Sequence, residues 1–237
     1  MAEEAQGAMG ERAVRVKICG LRRPADAQLA AALGADAIGV LVGQAHPSPH
    51  FVDAVTAATI LRGLPDQVCG VLVSHLINPE AVLELIEQTA PRALQIHSSM
   101  PPEAVLQIRR SQPELLLHKA VHGNSGNPLE TIRRYESLVD GFVLDSCNPV
   151  TGQVGGTGLT HDWSLSAALV GQTTRALWLA GGLTPMNVAA AIHQVKPAGV
   201  DVNSGVNGDD GNKDPERLAA FIAAARGLPS QNPSIKR

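Results

Sequence analysis

The strongest constraint in this sequence is a regular alternation, repeated eight times, of short Val-, Ile- and Leu-rich runs with longer Ala-rich amphipathic stretches. The runs fall at Val14–Ile18, Ala37–Val42, Val68–Val73, Ala93–Ile96, Leu115–Val121, Gly141–Leu144, Ala176–Leu179 and Gly199–Val202. The stretches between them predict helices at Ala25–Leu33, Ala54–Arg62, Pro79–Thr89, Pro102–Arg110, Leu129–Tyr135, Trp163–Val170, Pro185–Val195 and Pro215–Arg226. Continuous apolar runs of this length are the mark of parallel strands covered on both faces. Asn78-Pro79, Thr184-Pro185 and Asp214-Pro215 each offer a cap residue followed by proline at the first helical position. Gly34 and Gly227 fall where helices should end.

Two α/β architectures carry eight such units. An open doubly wound sheet usually places a glycine-rich phosphate loop after its first strand. Here the first strand runs into Cys19-Gly20 and the glycine clusters come late, which favours a single closed (βα)₈ barrel, the TIM barrel. The expected barrel domain spans 14–227, with disordered extensions at 1–13 and 228–237. With 44% hydrophobic residues but only three Phe, two Trp and one Tyr, the core must be aliphatic.

Charge and cysteine content narrow the function classes. A formal charge of −3 gives no reason to expect nucleic acid or an anionic membrane as partner. Cys19, Cys69 and Cys147 are far apart in sequence and show no CxxC or CxxH spacing, so they read as free thiols in a reducing compartment. No apolar run approaches a membrane span and residues 1–12 have no signal-peptide core, so a cytoplasmic enzyme, monomeric or homodimeric, is expected.

In such a barrel the active site lies at the C-terminal strand ends, with phosphate on the seventh and eighth loops. The first strand ends at Cys19, a base if its thiol is activated and otherwise a small buried apolar residue. The sixth ends at Asp145, an acid that is hard to bury unpaired but could equally cap a loop. The sixth loop carries Gly155-Gly156-Thr157-Gly158, the seventh Gly181-Gly182 and the eighth Asn203-Ser204-Gly205. Glycines let backbone amides approach an anion closely, and two such loops after strands seven and eight reinforce each other.

Together Val16-Lys17-Ile18-Cys19-Gly20-Leu21, Leu144-Asp145-Ser146, Gly155-Gly156-Thr157-Gly158, Asp162-Trp163, Leu179-Ala180-Gly181-Gly182-Leu183 and Gly199-Val200-Asp201-Val202 through Ser204-Gly205-Val206 resemble the phosphoribosylanthranilate isomerase family. The motifs occur in family order from Val14 to Arg226. The resemblance implies an Amadori rearrangement of a ribosyl phosphate in tryptophan biosynthesis, with Asp145 as acid, Cys19 as base and no cofactor or metal. It also implies that Gly181, Gly182, Ser204 and Gly205 hold the 5′-phosphate. His50, His97, Gly156, Asp201 and Asn203 are the remaining candidates for substrate contact, Asp201 equally as a loop anchor.

The sequence departs from the family around the substrate mouth. A family arginine expected to meet the anthranilate carboxylate is replaced by His50 in Ser48-Pro49-His50-Phe51-Val52. A neutral imidazole cannot make the bidentate pair of a guanidinium. Family QLHG becomes Gln95-Ile96-His97-Ser98, GGTGKTFDW loses its lysine to Leu159 and gains His161, and SSGVE becomes Asn203-Ser204-Gly205-Val206-Asn207. Two alternatives follow: an Amadori isomerase for another N-ribosyl 5-phosphate amine, or a phosphate-ligand binder or metal-dependent lyase on the same barrel. His46, His50, His75, His97, His118, His122 and His161 are all expected near strand ends or the following loops, though their spacings match no compact metal motif.

Overall fold

The computed structural model describes residues 14–43, 49–122, 127–145 and 163–228. Eight parallel strands close into one barrel in sequence order, with β1 paired to both β2 and β8. They are β1 (Arg15–Ile18), β2 (Ala37–Val42), β3 (Cys69–Ser74), β4 (Ala93–Ile96), β5 (Leu116–His122), β6 (Gly141–Asp145), β7 (Ala176–Leu179) and β8 (Gly199–Val202). Between and after them lie α1 (Pro24–Ala32), α2 (Ala54–Arg62), α3 (Pro79–Thr89), α4 (Pro102–Ser111), α5 (Pro128–Tyr135), α6 (Trp163–Val170), α7 (Val188–Val195) and α8 (Pro215–Ala225). A short 3₁₀ turn, Ser204–Val206, precedes α8. The fold expected from the alternation is the fold observed. The extensions before residue 14 and after residue 228 lie outside the described residues.

Alternation of side chains along each strand separates two kinds of packing. Outward residues such as Ile18, Val40, Leu72, Ile96, Phe142 and Val202 merge with the helices into one large apolar shell. Inward residues form two small apolar clusters, one around Val71, Val73 and Leu41, the other Val143, Trp178 and Ala180. Polar residues fill the rest of the barrel interior. At its lower end the Arg15 guanidinium lies 4.8 Å from the Trp178 ring centroid, and His118 lies 5.9 Å from the same ring. Above them Lys17, Gln95 and Asp201 meet.

Caps and end-ties explain the element boundaries. Asp53, Asn78 and Asp214 accept from the backbone N–H three residues on, at 2.7, 2.8 and 2.8 Å, each worth about 1 kcal/mol of helix stability. Arg226 donates to Val14 O at 2.6 Å and to Asp36 at 2.5 Å, fastening the chain beyond α8 to the start of β1. The expected start of the seventh helix at Pro185 is corrected, because α7 begins at Val188. Asn187 takes over the preceding turn, accepting from Thr184 N at 2.8 Å and donating to Gly182 O at 2.9 Å. Those bonds hold residues 182–187 as a loop. Among the described residues no helix is long and apolar enough to cross a membrane.

Gly199 shows how closely the interior is packed, since a Cβ there would sit 2.4 Å from the Trp178 ring. Gly199→Ala is therefore expected to destabilise the barrel by about 1–3 kcal/mol. A lower urea midpoint at unchanged m-value is the readout, and an unchanged midpoint would show that Trp178 can move aside.

Candidate active site

The inward face of β1 brings Lys17 and Cys19 to one side of the barrel, two residues apart. Lys17 lies within the strand and is fully enclosed. Its ammonium has three N–H donors, and three acceptors are present: Asp201 Oδ2 at 2.6 Å, Gln95 Oε1 at 2.5 Å and Cys19 Sγ at 3.5 Å. Burial alone would draw this lysine down, but the charges of Asp201 and Cys19 outweigh it and hold Lys17 above its ordinary range. Burial pushes the Cys19 thiol up to about 11, against the pull of the Lys17 ammonium. Room for the thiol comes from β2, where a Cβ on Gly39 would lie 2.8 Å from Sγ.

A second lysine approaches from the loop after β8. Lys213 Nζ donates to Asn203 O at 2.9 Å, Asn203 Oδ1 at 3.0 Å and Asn207 Oδ1 at 2.7 Å. Burial among neutral oxygens draws it down to about 8, opposed by the fields of Cys19 and Asp201. Asn203, so anchored, lies over the backbone of Gly20, whose φ of +73° and missing Cβ make the approach possible.

Asp145 closes β6, and its Oδ2 is hydrogen-bonded to His97 Nε2 at 3.2 Å. His97 is itself the centre of a stack. His75 lies parallel to it at 4.6 Å and 7°, His122 is tilted against it at 5.0 Å, and Phe51 meets His75 edge-on at 5.2 Å. This ribbon runs past the ends of β3, β4 and β5 to the carboxyl on β6. Burial, then the neighbouring His97, lowers His122 to about 4.

The seventh and eighth loops touch backbone to backbone, since a Cβ on Gly205 would fall 1.9 Å from Leu183 O. Gly181 and Gly182 both have left-handed backbones, at φ +81° and +65°. The four glycine and serine candidates for phosphate are thereby brought together. His50 is half-buried beside α2, and burial followed by the charges of Lys213 and Arg22 lowers its pKa. Arg22 spans the loops here, donating to Pro49 O at 3.1 Å and Asn212 Oδ1 at 2.6 Å.

Several expectations shift in this frame. Asp201 stands one step below the rim as the counterion of Lys17, beside which it is paired in register. His118 is not at the mouth: it lies four residues below His122 on β5, about 13 Å lower at 3.3 Å per residue, and packs at the lower end against Trp178. Gly156, His46 and His161 lie outside the described residues. Among the described residues no group of three or more His, Cys, Asp or Glu side chains is arranged to hold a metal ion. Lys17, Gln95 and Lys213 join the site without having been candidates from sequence. A lysine at the same strand parity as Cys19, inside an otherwise apolar run, was the available signal for the first.

A thiol and a carboxyl thus stand at inward strand ends of a (βα)₈ barrel, beside paired glycine loops after β7 and β8, at the end where enzymes of this barrel class carry their active sites. The sequence profile described as N-(5′phosphoribosyl)anthranilate (PRA) isomerase matches residues 16–224, and the chain belongs to that family. N-(5′-phosphoribosyl)anthranilate isomerase 2 of Methanosarcina mazei is 38% identical over 213 residues, covering 90% of this chain and 94% of the relative. The crystal structure of phosphoribosyl anthranilate isomerase from Thermotoga maritima superposes with a TM-score of 0.79 at 34% identity, covering 91% of this chain and 100% of that one. A further phosphoribosyl anthranilate isomerase structure, in complex with reduced 1-(o-carboxyphenylamino)-1-deoxyribulose 5-phosphate, has a TM-score of 0.76 at 32% identity, with the same coverage.

The buried histidines give the fold a pH signature. Burial lowers His118 to about 4, as it does His122, whereas an unfolded chain titrates histidine near 6.5. Both imidazoles are depressed in the fold, so stability is present above about pH 6.5 and is lost as pH falls towards 4. The urea midpoint should therefore drop between pH 7 and 5, and His118→Gln should flatten that drop. An equally steep drop in the variant would remove His118 from the account.

Proposed function

We propose that this chain catalyses the Amadori rearrangement of N-(5′-phosphoribosyl)anthranilate to 1-(o-carboxyphenylamino)-1-deoxyribulose 5-phosphate, with Asp145 as general acid and Cys19 as general base. The observation that carries this reading is the placement of a lysine-contacted thiol and a histidine-bonded carboxyl at the same end of the barrel of a family member. Asp145 protonates the furanose ring oxygen, and the C1–O bond breaks as the anilino nitrogen lone pair forms a C1=N⁺ iminium. Cys19, as thiolate, removes the C2 proton. The C2–H electron pair forms C1=C2 while the iminium electrons return to nitrogen, giving an enolamine. Moving the proton from the C2 hydroxyl to C1 then gives the ketone. The iminium serves as electron sink within the substrate. Its positive charge also favours the thiolate at the step that needs it.

Gly181, Gly182, Ser204 and Gly205 hold the 5′-phosphate by backbone amides on the touching seventh and eighth loops. Asn203 borders the sugar from its place over Gly20, and His97 orients Asp145. Gly156 belongs to the sixth loop and is assigned to substrate by family motif alone. Beside His50 the mouth keeps two cations, Arg22 and Lys213, which supports anthranilate, a carboxylate, over an uncharged amine. The three N–H groups of Lys213 are already committed to Asn203 and Asn207, so it acts by its field. Arg22 has five donors and retains some for a ligand. A thiol base is suited to a reducing compartment, which fits a cytoplasmic enzyme.

Turnover is read as anthranilate fluorescence of freshly made phosphoribosylanthranilate. Cys19→Ala and Asp145→Asn should each lower kcat by about 10²–10⁴-fold while the product's affinity persists. Full activity in either folded variant would overturn the assigned chemistry. Arg22→Gln should raise KM about tenfold or more with a smaller change in kcat, as expected for loss of a charged hydrogen bond. An unchanged KM would take Arg22 out of the carboxylate site.

A further inference from the structure

Lys17 donates to Asp201, Gln95 and Cys19, and it is among the most enclosed charges of the described residues, with 3% of its side chain exposed. Burying an ion pair is a poor way to stabilise a fold, because desolvation of both charges commonly offsets their attraction. A strut between β1 and β8 could have been built from apolar side chains, as the outward face of the same strands is. The third contact of Lys17 distinguishes it from a strut. Its Nζ lies 3.5 Å from Cys19 Sγ, and an ammonium N–H strongly prefers a thiolate to a thiol as acceptor.

The sum of the charges facing Cys19 points the same way. Lys17 comes from its own strand, Asp201 from β8 and Lys213 from the loop after β8. β2 brings no charge, with Gly39 against the thiol and Ala37 and Leu41 in the same apolar cluster, and β4 brings the neutral Gln95, which bonds Lys17. With Asp201 ionised and both lysines protonated, a neutral thiol leaves one uncompensated positive charge enclosed, whereas a thiolate balances the cluster.

We propose that Lys17 is the positioning residue of the base: held by Asp201 and Gln95, it directs an N–H at Cys19 Sγ and stabilises the thiolate that abstracts the substrate proton. The inference rests on the reading of Cys19 as base. During the transfer the substrate C2–H bond breaks and an S–H bond forms, while Lys17 keeps its three protons and its acceptor at Sγ changes from a charged thiolate to a neutral thiol. Asp201 fixes the ammonium in place and moderates its pull, since its own negative charge opposes the thiolate. Removing either residue of the pair should thus move Cys19 in opposite directions.

The test is the rate of Cys19 alkylation by iodoacetamide between pH 7 and 10, read on the Cys19 peptide by mass spectrometry in the full chain without substrate. Lys17→Met should slow alkylation at fixed pH by about tenfold or more, the loss expected when an adjacent opposite charge worth 1–3 pKa units is removed. Lys17→Arg should recover part of that rate, and Asp201→Asn should exceed the native rate. Unchanged or faster alkylation in folded Lys17→Met overturns the proposal, because a mere strut would expose the thiol when removed. Should Lys17→Met fail to fold, Asp201→Asn decides, and an unchanged or slower rate there overturns it. Alkylation is measured without turnover, so an active Cys19→Ala would overturn the base assignment and leave the charge coupling standing on its own result.

Discussion

The Lys17 ammonium, enclosed between Asp201 of β8, Gln95 of β4 and Cys19 of its own strand, is the interaction on which the site depends. It joins strands that are far apart in sequence and not all adjacent in the sheet, across the interior of the barrel. A charge so placed is tolerable only with its partners complete, because a single missing acceptor would leave a buried N–H unsatisfied at a cost of about 1–3 kcal/mol. The same enclosure keeps water from screening the ammonium, so its influence on the neighbouring sulfur is much larger than it would be at the surface. Polar order inside the barrel and the charge environment of the Cys19 thiol therefore have one origin here.

The fold can support this polar interior because its apolar core lies elsewhere. Among the described residues, the shell between strands and helices carries the large aliphatic side chains and most of the buried apolar residues, while the barrel interior holds two small apolar clusters. Inward positions are correspondingly free to be Lys17, Gln95, His97, His118, Asp145 or Asp201. Glycine sets how closely these residues can gather. Gly39 gives space to the thiol, Gly20 admits Asn203, Gly199 admits Trp178, and Gly205 lets the two glycine loops touch. Each is a place where a Cβ would enter an atom already present.

Much of this was legible in the chain. The eight apolar runs match the strands to within a residue at each end, since a parallel strand covered on both faces is largely apolar. Asn78 and Asp214 cap as their places immediately before proline predict. Thr184-Pro185 carries the same signal without the helix, because Asn187 offers the loop side-chain bonds that compete with helical ones. The histidines show the same limit. Their proximity in sequence to strand ends was visible, but only the strand direction and rise separate His122, beside His97, from His118, packed on Trp178.

By itself, the sequence determined the barrel, the end of it that carries chemistry, and the identity of a thiol and a carboxyl at two strand ends. These follow from periodicity and from local motif, which are properties of neighbouring residues. Tertiary structure alone decided that Asp201 serves Lys17, that Lys17 reaches Cys19, that Lys213 lies among neutral oxygens beside them, and that His97, with His75 stacked on it and His122 tilted against it, meets Asp145. The physical reason is closure. Joining β8 to β1 brings Asp201 level with Lys17 across a sequence separation of 184 residues, and no local pattern in a chain records which side chains such a register will place in contact.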